Sequence, residues 1–142
     1  TPGADKYAIL ATLGKDRRIG TQCLVPGYGF GGPCFPRDNC ALGNYASLRG
    51  IEPLIFTATD RANNQHAEYM AKKLLEMDLE EYLFEDVCYK PKCPVPIIEA
   101  SQKLEVARKV AEAGKKVIIR DSKSIILQVQ EKYGTLFDYL IY

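Results

Sequence analysis

Cys34 is the residue of this chain whose surroundings point most clearly to chemistry. It lies in the stretch 25–42, VPGYGFGGPCFPRDNCAL, at the end of a glycine-rich turn and three residues before Arg37. We predict a short helix that is capped by Asp38 or Asn39, which places Cys34 just outside a helix N-terminus. A helix N-terminus and a nearby guanidinium both favour the thiolate, the nucleophilic form of cysteine. Cys34 is therefore predicted to be a nucleophile.

The glycines of this stretch allow more than one interpretation. Gly27, Gly29 and Gly32 match G-x-G-x-x-G, the pattern of a dinucleotide-binding loop. Such a loop opens into a helix at its last glycine, whereas prolines interrupt this stretch and argue against a helix through positions 34 and 35. We reject the match and expect the glycines at 29, 31 and 32 to leave backbone N–H groups uncovered for a substrate or an oxyanion. The alternative is a tight turn with a small buried residue at position 34.

Composition limits the classes of function. The chain has 142 residues, of which 46% are hydrophobic and 26% charged, as is typical of globular proteins. A net charge of +1 without a Lys/Arg cluster argues against nucleic-acid binding. No apolar run approaches the about 18 residues that span a bilayer, and no signal peptide is evident, so we expect a cytoplasmic protein with no membrane partner.

The five cysteines are expected to be reduced thiols and not metal ligands. The pairs Cys34/Cys40 and Cys88/Cys93 are separated by five and four residues, and structural zinc sites favour two to four. We therefore predict no metal site. Cys23, Cys40 and Cys88 are interpreted as small apolar residues, and Cys93 as part of a loop.

The first part of the chain is predicted to be helical. Residues 3–13 are typical of the end of a helix, and residues 53–77 of a long amphipathic helix that is either core or an oligomer contact. The predicted apolar stripe of the long helix comprises Leu54, Ile55, Ala58, Ala62, Tyr69 and Leu74. His66 has no partner at ligand spacing, so we interpret it as structural or solvent-facing.

From residue 83 the periodicity changes to strand, helix, strand, helix, strand. The segments are LFEDVCYK, ASQKLEVARKVAEAG, KKVIIRD, SIILQVQEKYG and LFDYLI. This order predicts an α/β fold: a helical segment over 1–80, then an incomplete Rossmann-like parallel unit over 81–142. Ligands of such sheets bind at the carboxyl ends of the strands, which places Lys90 at the site. Asp121 ends the second strand, and we expect it to act as a cap.

Two segments together resemble a known family. GADKYAILATLGKDRRIG, followed by PGYGFGGPCFPRDN, is similar to the central part of the nucleotide-sugar dehydrogenases, the UDP-glucose/GDP-mannose dehydrogenase family. The resemblance is strong over 3–49, fair over 53–77 and weak over 83–121. It implies oxidation of a sugar C6 alcohol to a carboxylate with two NAD+, through a cysteine thiohemiacetal and thioester.

The resemblance also implies roles for individual residues. Cys34 would attack the C6 aldehyde, and Asp38 would activate or orient water. Arg18 would reach the substrate pyrophosphate of a neighbouring subunit in a homodimer. The remaining matched positions are Tyr28, Phe30 and Gly31 in the loop that holds the nucleotide sugar, Lys90 against the sugar and Arg37 near the cofactor.

Several features depart from the family pattern. Asp86 stands where the family has glycine, Ile98 replaces an arginine that helps to hold the cofactor, and one extra residue separates Lys90 from Glu99. The family's NAD-binding domain and a helix with its catalytic lysine and asparagine would precede residue 1, so we expect these 142 residues alone to be inactive. Two interpretations remain: part of a working dehydrogenase, or a shortened, non-catalytic relative that dimerises or binds a nucleotide sugar.

Overall fold

The computed structural model describes residues 3–21, 26–90 and 95–142. Helices precede a three-stranded sheet whose strands alternate with two further helices. The elements are α1 (Lys6–Leu13), α2 (Phe35–Leu48), α3 (Leu54–Leu75), β1 (Glu81–Glu85), α4 (Gln102–Glu112), β2 (Lys116–Asp121), α5 (Lys123–Tyr133) and β3 (Asp138–Ile141). The predicted α/β class is confirmed.

The sequence predicted that residues 3–13 are the end of a longer helix. This prediction is wrong, because helix α1 has its own start at Lys6. The carboxylate of Asp5 accepts hydrogen bonds from the backbone N–H groups of Tyr7, at 2.8 Å, and Ala8, at 3.3 Å. This side chain satisfies donors that have no partner inside a first helical turn. Asp5 therefore marks the start of the helix.

Helix α2 begins four residues earlier than predicted. Its first residue is Phe35 and its N-cap is Cys34, so the prolines did not exclude a helix here. Pro36 lies in the first turn, where its missing N–H would have had no intrahelical partner. Asp38 consequently lies inside the first turn and does not act as the N-cap. The Asn39 amide ties α2 to α3 by donating to Asp60 Oδ1 at 2.7 Å.

Helix α3 matches the predicted long helix, but its buried face is not the predicted stripe. Ala67 and Ala71 are buried, and small residues at this spacing let α3 pack closely on α4. Leu74 is half-buried against the same core. The other five members of the predicted stripe are exposed, namely Leu54, Ile55, Ala58, Ala62 and Tyr69. The described residues therefore leave this stripe uncovered.

The strands form one parallel sheet in the order β1-β2-β3. Its core is built by α4 and α5, which connect the strands. The largest fully buried side chains are Leu104, Ile119, Ile125, Ile126, Val87, Val106, Val110 and Val129. The sequence predicted a strand that continues to Lys90, but β1 ends at Glu85. The next residue, Asp86, has a positive φ of 50°, which an extended strand does not allow. No helix of the described ranges has the length and apolar character needed to cross a membrane.

Candidate active site

Cys34 is exposed and stands at the N-cap of α2. Its φ and ψ of −102° and −64° direct the chain into the helix, and its side chain makes no capping hydrogen bond. The sequence correctly placed this thiol at a helix N-terminus. Its side chain is therefore left accessible to a ligand at the end of α2 where free N–H groups concentrate positive potential.

Arg37 and Asp38 form an exposed ion pair one turn from Cys34. Arg37 Nε lies 2.8 Å from Asp38 Oδ1. The hydrogen bond and charge of Asp38 raise the pKa of Arg37 above its ordinary value, and the sulfur of Cys34 contributes in the same direction. The arrangement brings together a thiol, a cation and a carboxylate on the first turn of one helix.

The glycines before Cys34 serve packing within the protein. A Cβ on Gly31 would collide with the carbonyl oxygen of Ala100, and one on Gly32 with the ring of Tyr89. The Gly32 N–H donates to the Glu99 carbonyl at 3.0 Å. The expectation that these glycines leave N–H groups uncovered is therefore wrong for Gly32. The absence of side chains allows the loop to approach the segment before α4.

Helix α3 contacts the same loop from a second direction. Asn63 Oδ1 accepts from the N–H of Phe30 at 3.0 Å, and its Nδ2 donates to the carbonyl of Phe30 at 2.9 Å. His66 Nε2 lies 2.7 Å from the carbonyl oxygen of Gly27. Because a carbonyl only accepts, Nε2 carries the hydrogen in this contact. His66 thus has the structural role that the sequence left open.

A cleft of about 220 Å³ lies between this loop and the carboxyl end of β1. Tyr28 and Gly29 line one side, and Asp86, Tyr89, Gln102 and Lys103 are among the residues on the other. Lys103 Nζ lies 5.5 Å from the centroid of the Tyr28 ring, within the range of a cation–π contact. Burial raises the pKa of Tyr28, which therefore stays a neutral hydrogen-bonding group.

Two polar groups of the cleft have consequences for ligand binding. Lys103 Nζ donates to the carbonyls of Glu85, at 2.7 Å, and Asp86, at 3.0 Å, so its charge is fixed at the end of β1. Within the described part of the chain, Gln102 Oε1 is the buried side-chain oxygen that has no hydrogen-bond partner. A ligand hydroxyl or N–H would satisfy this oxygen.

Asp121 is buried, and its carboxylate is occupied by the backbone. Oδ2 accepts from the N–H of Val87 and Oδ1 from the N–H of Ser122, each at 2.7 Å. The predicted capping role is wrong, because Ser122 is the N-cap of α5 and Asp121 binds the N–H of that residue from the end of β2. The other bond joins the end of β2 to the segment after β1. Asp121 consequently holds the carboxyl edge of the sheet together.

Asp86 differs from the glycine of the resembled family, yet it keeps a backbone conformation that favours glycine. Its Oδ1 accepts a hydrogen bond of 2.8 Å from the hydroxyl of Tyr142. This bond raises the pKa of Tyr142 to about 12. Asp86 therefore adds a negative charge to the edge of the cleft and ties it to the residue after β3.

The remaining predicted site residues lie apart from these contacts. Arg18 follows α1, is highly exposed and pairs with Asp16 at 2.6 Å. This pair raises the pKa of Arg18 and lowers that of Asp16. Lys90 is exposed at the end of a described range. Cys23 and Cys93 lie outside the described residues, and the described ones contain no His/Cys/Asp/Glu group that could hold a metal ion.

Sequence reasoning missed Asn63, Lys103 and Gln102 as site residues. Asn63 shares a helix face with Ala67 and Ala71 at a spacing of four, so a polar side chain on a buried face was a detectable signal. Lys103 and Gln102 follow the N-cap Ser101 and had no such signal. Gln102 and Lys103 lie in the same cleft as Tyr28 only because the loop that carries Tyr28 packs against the end of the sheet.

Two solved structures share the fold of this chain. A UDP-glucose dehydrogenase from Pyrobaculum islandicum superposes with a TM-score of 0.84 at 28% identity, over 97% of this chain and 32% of that one. A GDP-mannose dehydrogenase from Pseudomonas aeruginosa shares the fold, with a TM-score of 0.71 at 19% identity over 97% of this chain and 34% of that one.

Sequence comparison matches part of the chain to a family. Residues 1–65 match the central domain of the UDP-glucose/GDP-mannose dehydrogenase family. The UDP-glucose 6-dehydrogenase of Rickettsia bellii is 32% identical over 115 residues, which are 79% of this chain and 26% of that protein. Haloferax volcanii AglM, also a UDP-glucose 6-dehydrogenase, is 38% identical over 74 residues, 52% of this chain and 17% of that protein. The chain is therefore similar to this family over its first 65 residues, and it spans about a quarter of the Rickettsia bellii relative.

Proposed function

We propose that this chain carries the nucleophile and the nucleotide-sugar contacts of an NAD-dependent dehydrogenase that oxidises the C6 alcohol of UDP-glucose to UDP-glucuronate. The observation that carries the proposal is the exposed Cys34 at the start of α2, directly after a loop that lines the cleft. The match to the family's central domain and the names of the relatives support the same substrate class.

In this proposal Cys34 retains the aldehyde formed in the first oxidation. The thiolate adds to the C6 carbonyl carbon, a C–S bond forms, and the carbonyl oxygen takes a proton, giving a thiohemiacetal. NAD+ would be the hydride acceptor in both oxidations, the second of which converts the thiohemiacetal into a thioester with loss of a hydride and a proton. Water then adds to the resulting thioester carbonyl and Cys34 leaves as the thiolate. Asp38, four residues after Cys34, is the carboxylate proposed to orient that water.

The nucleotide sugar is proposed to lie along the loop that precedes Cys34. Tyr28, Phe30 and Gly31 are its loop contacts, and Lys90 approaches the sugar from the other part of the chain. Lys103 adds a fixed cation beside Tyr28, and its charge suits a pyrophosphate. The loop residues would hydrogen-bond an anionic ligand, and the two lysines would supply positive charge beside it.

Arg18 is proposed to act across a homodimer. Its guanidinium is exposed, and its ion pair with Asp16 is a surface contact that contributes little to stability. Exchanging that carboxylate for a pyrophosphate would retain the bidentate geometry that guanidinium groups favour. The dimer would then be a condition of substrate binding.

The described residues do not form a dinucleotide-binding cradle of their own. The Gly32 N–H is bound to Glu99, and Gly31 packs against Ala100. In dinucleotide-binding folds an acidic residue at the end of the second strand binds the ribose, but the Asp121 carboxylate at this position is bound to backbone N–H groups. We therefore propose that NAD is held mainly by residues other than these, with Arg37 as the contact that this chain provides.

The test uses UDP-glucose in its C6-aldehyde form, labelled with carbon-13 at C6. Mixed with the chain, it should give the carbon-13 signal of a thiohemiacetal, which Cys34→Ser abolishes and the matched variant Cys40→Ser retains. The absence of an adduct in the wild-type protein would overturn the catalytic proposal. Binding of UDP-glucose without any adduct would instead favour a non-catalytic nucleotide-sugar-binding module.

A further inference from the structure

The loop before Cys34 is held from two directions by contacts that are distant in sequence. On one side, Gly31 and Gly32 pack against the segment that leads into α4. On the other side, α3 presents the Asn63 side chain to the backbone of Phe30. Since α3 itself packs on α4 through Ala67 and its neighbours, the two supports form one continuous frame.

The Asn63 contact is specific to an amide side chain. One backbone group of Phe30 is a donor and the other an acceptor, so the bound side chain must offer both functions in one plane. Gly29 complements this geometry, because a Cβ there would collide with Asn63 Oδ1. One turn further along α3, His66 Nε2 donates to the carbonyl of Gly27. The two side chains thus hold the loop at two residues, Gly27 and Phe30.

We propose that Asn63 is a positioning residue for the nucleotide-sugar loop and that His66 assists it. The inference rests on the proposed function, because the loop that Asn63 holds carries the proposed nucleotide-sugar contacts Tyr28, Phe30 and Gly31. Asn63 touches the loop backbone and acts through it. Its removal deletes no residue that lines the cleft, but it frees the loop to move away from the geometry that the ligand requires.

The experiment compares Asn63→Ala and Asn63→Asp with Asn64→Ala, an exposed neighbour on the same helix. Aspartate keeps an acceptor for the Phe30 N–H but lacks the donor for its carbonyl. We expect the amide hydrogen of Phe30 to exchange about tenfold faster in Asn63→Ala, as the loss of a net hydrogen bond implies. The affinity for UDP-glucose, measured by calorimetry, should fall by about tenfold in the same variant. Asn64→Ala should match the wild type in both.

His66 is tested by a rescue. His66→Ala should weaken UDP-glucose binding, and His66→Gln, which retains a donor able to reach Gly27, should restore it. Unchanged Phe30 exchange in Asn63→Ala would overturn the contact, and unchanged UDP-glucose affinity would overturn the positioning role. A wild-type chain that does not bind UDP-glucose would overturn the proposed function and the inference with it, whereas wild-type affinity retained in both Asn63 variants would overturn the inference alone.

Discussion

Gly31 lies so close to Ala100 that the carbonyl oxygen of Ala100 fills the space where a Cβ of residue 31 would stand. This contact joins the loop before Cys34 to the segment that opens α4. The next residue, Gly32, also contacts this part of the chain. Its N–H donates to the Glu99 carbonyl, and the Tyr89 ring fills the space where its Cβ would stand. The loop that carries the thiol and the sheet that forms the cleft are therefore one packed unit.

Gly31→Ala tests this contact. The added methyl meets backbone and not a flexible side chain, so the loop must shift. We expect a loss of about 1–3 kcal/mol in the free energy of unfolding, measured with urea, together with weaker UDP-glucose binding. Gly50→Ala is the control, because a methyl group there would contact no other atoms. It reports only the backbone strain of a residue with a positive φ of 74°. Wild-type stability and affinity in Gly31→Ala would contradict the contact.

Cys34 should react with iodoacetamide faster than Cys40 at neutral pH. Both thiols are exposed, but Cys40 Sγ donates to Asp60 Oδ2 at 3.0 Å. That hydrogen bond raises the pKa of Cys40, so a smaller fraction of Cys40 is thiolate at neutral pH. Mass-spectrometric mapping of labelled peptides gives the order, and Asp60→Asn should accelerate Cys40 alone. Labelling of Cys40 before Cys34 would contradict the prediction.

The exposed stripe of α3 predicts a homodimer. Leu54, Ile55 and Ala62 lie on a helix face that the described residues leave open, and an isologous contact would cover it. Sedimentation should give a mass near twice 15.9 kDa that persists at micromolar concentration. Ala62→Glu should dissociate the dimer, and Arg61→Glu, a charged position next to it, serves as the control for added negative charge. A monomeric wild type would exclude the dimer and the proposed role of Arg18.

Tyr142 should titrate near pH 12 because its hydroxyl donates to the Asp86 carboxylate. The ordinary pKa of tyrosine is about 10, so the folded pKa is the higher one. The stabilisation from this bond is therefore fully present below about pH 10 and is lost as the pH rises through about 12. NMR signals of the Tyr142 ring report the midpoint, with Tyr142→Phe for assignment. Asp86→Asn should lower it, and an unchanged midpoint in that variant would contradict the assignment.

The sequence by itself determined the class of fold, the long helix α3 and the place of Cys34 at a helix N-terminus. These features follow from local patterns: apolar periodicity, glycine and proline positions, and a motif within 18 residues of chain. The start of α2 was misjudged for an equally local reason. A proline in a first helical turn and a proline that breaks a helix look alike until the hydrogen bonds are known.

The tertiary structure alone decided what the glycines and polar residues contact. Asn63 meets Phe30, Asp121 meets Val87, and both pairs are separated by more than thirty residues. The sequence predicted open backbone at Gly31 and Gly32, because a missing side chain shows where something approaches but not what approaches. Packing of α3 on α4 brings the start of α4 to the loop, and the approaching group is protein. Such contacts depend on the relative placement of elements, which no local pattern contains.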